Sequence, residues 1–188
     1  MSAGQQPKDP AKTSPAGPRG RARLAAVQAL YQIDMVAADV NTVIDEFLRH
    51  RLPADSDDPM IAGADGAFFE QLTRGAMTAG TAMDAAITSC LSPGWPFQRL
   101  ERIVVAILRV GGFEIRGIDD IPTAVSINEY VDIAHAFFAG KEPAFVNGVL
   151  DRLAEMPAIE LYPQTLQSAE HAETLSAGET EIGADGAG

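Results

Sequence analysis

The stretch from residue 121 to residue 153, IPTAVSINEYVDIAHAFFAGKEPAFVNGVLDRL, leaves little room for anything but two helices joined by a tight turn. Pro122 stops a preceding helix, and Ser126 with Glu129 three residues on makes a capping box, with Val125 and Tyr130 as its hydrophobic staple. Thr123 is the competing cap. Ile127, Tyr130, Val131, Ala134, Phe137 and Phe138 then recur three and four apart as one apolar stripe, which Gly140 ends. Pro143 suits the first turn of the second helix, whose stripe is Val146, Val149, Leu150 and Leu153. A glycine inside a helix costs about 1 kcal/mol relative to alanine, so Gly148 is expected where another backbone comes close.

Helical spacing recurs through the chain. RGRARLAAVQALYQIDMVA, from Arg19, places Leu24, Val27, Tyr31 and Met35 on one face, widened by Ala26, Leu30 and Ile33. Asn41 caps a short helix with Val43, Ile44, Phe47 and Leu48 inward, ending before Pro53, and a polar loop carries Asp55, Asp57 and Asp58. The longest helix runs from about Asp65 to Leu91, its middle rich in Gly and Ala, as a closely packed central helix requires. Ser92-Pro93-Gly94 ends it, and Trp95-Pro96 makes a turn with the aromatic at the surface or folded over the core. Another helix spans about Gln98 to Arg116, where Gly111-Gly112 predicts a kink or a close crossing. No segment reads as a strand. The expectation is an all-α bundle of six to seven helices over residues 19–156. Residues 1–18 and 157–188 lack apolar periodicity and are expected to be disordered.

Charge divides along the same boundaries. Residues 1–23 carry a net +4 (Lys8, Lys12, Arg19, Arg21 and Arg23 against Asp9), residues 157–188 a net −6, and residues 24–156 a net −10. Arg19, Arg21 and Arg23 stand at the start of a helix, where the macrodipole disfavours cations. An anionic partner accounts for them; a solvated tail is the alternative. The single cysteine, Cys90, rules out an internal disulfide and falls in a core register. With no apolar leader segment, a cytoplasmic location is expected. His50, His135 and His171 lack metal-ligand spacing, no Gly-rich loop follows a strand, and Glu101 and Glu114 are too far apart to act together. Neither a catalytic residue, a metal nor a cofactor is therefore expected.

Three motifs, RARLAAVQALYQ (21–32), AILRVGGFEI (106–115) and SINEYVDIAHAFF with FVNGVLDRL (126–153), together resemble the NusB family of transcription antitermination factors. The resemblance covers about Arg19 to Glu155. It implies two helical subdomains and a basic N-terminal segment that contacts boxA RNA of ribosomal-operon leaders. It also implies a ribosomal protein partner, NusE, and action within the RNA polymerase antitermination complex. Candidate RNA contacts are Arg19, Arg21 and Arg23, as phosphate contacts, with Gln28, Lys141 and Phe145. Candidate partner contacts are Tyr31, Phe113, Glu114 and Glu142. For Tyr31 and Phe145 core packing remains open as the alternative. The chain departs from the family at Gly20, which replaces one arginine of a run, and at Val105, where a basic residue is common. Lys141 stands where an acidic residue occurs in a relative. Two other readings stay open: a protein-only interaction module or homodimer, and an RNA-modifying enzyme, for which the sequence offers no Gly-rich cofactor segment.

Overall fold

The computed structural model describes residues 17–157, so both expected arms lie almost wholly outside the described residues. Six α-helices follow one another: α1 Pro18–Val36, α2 Val40–Glu46, α3 Gly66–Cys90, α4 Arg102–Gly117, α5 Thr123–Phe137 and α6 Glu142–Glu155. A π-helical turn at Phe47–Arg51 extends α2, a 3-10 turn at Phe97–Arg99 precedes α4, and no strand occurs among the described residues. Helix α4 packs on α1, α3, α5 and α6, α1 packs on α3 and α5 on α6, so that the helices share one apolar core.

Side-chain caps account for two helix starts. Asp39 Oδ1 accepts from the Thr42 amide at 2.9 Å, and Asp65 Oδ1 accepts from the Phe68 amide at 3.0 Å, each satisfying a donor that the first turn leaves without a partner. Asn41, the expected cap of α2, instead accepts a hydrogen bond from Arg74 Nη1 at 2.6 Å.

Close approach of α3 to α4 depends on absent side chains. A Cβ on Gly75 of α3 would fall inside the ring of Phe113 on α4, and one on Gly112 of α4 would stand 2.6 Å from Met83 Sδ on α3. Gly111-Gly112 is thus a crossing point and not a kink; α4 runs through it unbroken, while the non-helical backbone in this pair of helices lies at Gly80 of α3. In α1 the four alanines Ala22, Ala25, Ala26 and Ala29 are fully buried, which lets neighbouring helices close around it.

Burial also overturns several sequence expectations. In α1, Tyr31 and Met35 point outward while Leu24, Val27, Leu30 and Ile33 are buried, because small residues on the other faces let the helix sink deeper and turn. Helix α4 starts at Arg102, later than expected, since Phe97–Arg99 closes only one 3-10 turn. No capping box forms on α5: the helix begins at Thr123, and both Ser126 and Glu129 turn inward to other partners. Among the described residues no atom outside its own helical neighbourhood lies within 4 Å of where a Gly148 Cβ would stand, so no backbone of theirs approaches there. Asn147, next to Gly148, donates to Asp151 Oδ2 at 2.7 Å at the surface.

Candidate RNA and partner surfaces

The three arginines at the head of α1 meet three different environments. Arg19 is exposed, its guanidinium 5.1 Å from the centre of the Phe68 ring, a cation–π distance. Arg21 is half-buried and donates from Nη1 to the Ala62 carbonyl at 2.7 Å, tying α1 to the loop before α3. Arg23 is 4% exposed. Its Nε donates to both oxygens of the fully buried Glu114 (3.1 and 2.9 Å), its Nη2 to Oε1 at 2.7 Å, and its Nη1 to Glu129 at 3.3 Å.

The remaining donors to Glu114 are Ser126 Oγ at 2.6 Å and the Tyr130 hydroxyl at 2.8 Å. Burial opposes the charge on Arg23, but the Glu114 carboxylate outweighs it and raises the guanidinium pKa. Burial, and then Glu114, hold the Tyr130 phenol well above its usual range. Glu114 is therefore the centre of a structural network that joins α1, α4 and α5.

Three sequence assignments are corrected by this geometry. Arg23 cannot reach a phosphate, since its donors are spent inside the core. Glu114 and Phe113 cannot touch a partner, because both are enclosed, the first by Arg23, Ser126 and Tyr130, the second against Gly75. Periodicity put these residues on helix faces without indicating which faces are covered.

Gln28 and Tyr31 do come together. They line a groove of about 590 Å³ with Gln32, Met35, Val36, Ile103, Phe137 and Arg51. Gln28 Oε1 accepts from Arg51 Nη2 at 2.8 Å, and Arg51 also donates to Asp58 and lies 4.3 Å over the Phe47 ring. The groove is mostly apolar: Tyr31, Met35, Val36 and Phe137 are all large exposed hydrophobics, Val36 at 69%. Met35 and Phe137 had been expected in buried stripes. For Met35 the signal is the alanine content of the buried faces of α1, Ala22, Ala25, Ala26 and Ala29.

Lys141, Glu142 and Phe145 line a second pocket, of about 180 Å³, with Trp95, Arg99, Leu100, Glu101 and Val104. The groove and the pocket flank the first turns of α4, Ile103 facing one and Val104 the other. Arg19 belongs to neither: nine residues of helix separate it from Gln28, which turns it about 180° away at 3.6 residues per turn. Among the described residues no helix is long and apolar enough to cross a membrane, and no group of three His, Cys, Asp or Glu side chains is placed to hold a metal.

The model of the NusB family matches residues 20–155. A curated relative from Caulobacter vibrioides, named transcription antitermination protein NusB, is 47% identical over 137 residues, covering 73% of this chain and 92% of the relative. One of the same name from Rhizobium rhizogenes is 46% identical over 151 residues, covering 80% and 93%. Among solved structures, NusB of T. maritima superposes with a TM-score of 0.63 at 27% identity, over 81% of this chain and 98% of that one. A chain from a crystal structure of antitermination factors NusB and NusE in complex with dsRNA shares the fold, with a TM-score of 0.61 at 21% identity, over 72% and 95%. A family match across nearly all described residues and relatives at 46–47% identity over most of both chains agree: this chain belongs to the NusB family.

Proposed function

We propose that this protein is an RNA-binding adaptor in transcription antitermination, acting on boxA-type RNA of ribosomal-operon leaders together with the ribosomal protein NusE. The observation that carries the reading is the pairing of two unlike surfaces across the start of α4. One is an apolar groove around Tyr31; the other is a pocket with an aromatic, Phe145, beside a cation, Lys141. The groove suits a protein partner, because large exposed apolar side chains gain most from being covered by another protein. The pocket suits unpaired RNA, where aromatic rings stack bases and cations meet phosphates.

Phosphate contacts from the head of α1 fall to Arg19 and to the basic residues before it, with Arg21 holding the neighbouring loop in place. Family membership supports the same pairing of roles. A protein-only module, or a homodimer, is the competing reading, and the apolar character of the groove is what favours it.

The test is binding of a boxA-type oligonucleotide by the full chain, with and without NusE, as salt is raised. RNA binding that tightens with NusE and weakens with salt is expected, and Arg19→Ala is expected to reduce the magnitude of the log-log salt slope by about 0.7, the contribution of one phosphate on a single strand. Absence of RNA binding in both arms would leave the protein-only reading standing.

A further inference from the structure

We propose that Trp95 is a base-stacking residue, forming with Phe145 a two-ring platform for an unpaired base of single-stranded RNA. The inference rests on the RNA-binding reading above and extends it to a residue on a different element. Trp95 sits in the turn between α3 and the 3-10 turn, far in sequence from Phe145 on α6, yet their ring centres are 5.6 Å apart with 33° between the planes. Phe145 is half-buried and braces the indole, while Trp95 remains 58% exposed.

A large aromatic held at the surface by a second ring keeps its position while offering a free π-face. Every nucleobase can use such a face, whatever its sequence. The surroundings fit a polyanion better than most of this surface does. Arg99 and Lys141 line the same pocket, and neither has an ion-pair partner among the described residues. Glu101 and Glu142 also line it, so cations and carboxylates balance there, on a body that carries a net −10 over residues 24–156. The platform thus continues the Lys141–Phe145 surface onto the turn after α3, and offers room for a base beside a backbone held by Arg99 or Lys141.

The chain holds one tryptophan, so its emission reports on this platform alone. Single-stranded boxA-type RNA is titrated into the full chain, alone and with NusE, while tryptophan fluorescence and RNA retention are followed together. Quenching that tracks RNA binding is expected, together with a loss of affinity of about ten-fold for Trp95→Ala and near wild-type affinity for Trp95→Phe, which keeps a stacking face. RNA binding without quenching, with both variants binding as wild type, would overturn the platform and leave the RNA-binding reading intact. Quenching by NusE alone, with none on adding RNA, would assign the patch to protein and overturn the platform too. Failure of the wild-type chain to bind RNA in either arm would remove both readings.

Discussion

Arg23 on α1 and Glu114 on α4, ninety-one residues apart in sequence, meet in a buried two-pronged ion pair with nitrogen–oxygen distances of 2.7 to 3.1 Å. Ser126 and Tyr130 of α5 supply further donors, so the carboxylate on α4 is satisfied from two other helices at once. An arginine in a basic run is thereby a structural residue, and the run's available charge is smaller than its letter count. Removing one partner leaves the other charge buried and alone, which typically costs about 3–5 kcal/mol. Arg23→Ala and Glu114→Ala are each expected to lower stability by that order in urea unfolding. A double change to Met and Leu is expected to cost less than the sum of the two single changes. A near-neutral Arg23→Ala would show that the pair contributes little to folding.

Alkaline pH should act through Tyr130. Its folded pKa is raised, so the unfolded chain releases this proton first, and stabilisation that is complete below the unfolded value of 10.0 is lost as pH rises toward the folded one. Unfolding free energy is expected to fall steadily above about pH 10. Tyr130→Phe should flatten that part of the curve while lowering stability at neutral pH by about 1–3 kcal/mol, the cost of taking one donor from buried Glu114. Denaturant titrations at stepped pH give both quantities.

Two helical glycines should respond in opposite senses to alanine. Gly75→Ala forces a methyl into the Phe113 ring and is expected to destabilise by about 1–3 kcal/mol or more, as α3 and α4 are pushed apart. Gly148→Ala meets open space on a regular helix and is expected to stabilise by about 0.5–1 kcal/mol. Thermal unfolding of the two variants is a direct comparison. A destabilised Gly148→Ala would show that this face of α6 is not open.

The apolar groove predicts a separation of functions. Met35→Glu and Phe137→Glu place a carboxylate among exposed apolar side chains, with little cost to a fold that does not bury them. Binding of NusE is expected to weaken more than ten-fold, since desolvating an unpaired charge in an interface costs several kcal/mol, roughly. RNA binding by the chain alone should be unchanged. Calorimetry with NusE and RNA retention without it distinguish this from a groove that serves RNA.

Much of the architecture was legible in advance because helices announce themselves locally. The start of α3 at Asp65 and Pro143 in the first turn of α6 follow from what a single residue type permits, while Gly111-Gly112 left a kink and a close crossing both open. The core register of Cys90 follows in the same way. Misread boundaries share one cause: a polar side chain has more than one use. Ser126 and Glu129 have the spacing of a capping box, yet a buried carboxylate and a buried guanidinium offered them stronger partners. Asn41 lost its capping role to Asp39 two residues earlier.

The candidate sites were legible only in part. Gln28 with Tyr31, and Lys141 with Glu142 and Phe145, are close in sequence, and helical spacing alone brings each set to one place. The enclosure of Arg23, Phe113 and Glu114 and the contact of Trp95 with Phe145 were not legible, because their surroundings come from distant segments.

By itself the sequence determined an all-helical chain of six to seven segments, their order and the family to which they belong, since these depend on spacing and on residues within a turn or two. Only the tertiary structure decided which helix faces were covered. Periodicity states which residues share a side, but whether that side meets water or another helix depends on side-chain volumes supplied by the rest of the chain. Where α1, α3 and α4 pack through alanines and glycines, Arg23 and Phe113 are enclosed, while Tyr31 and Met35 of α1 and Phe137 of α5 face out.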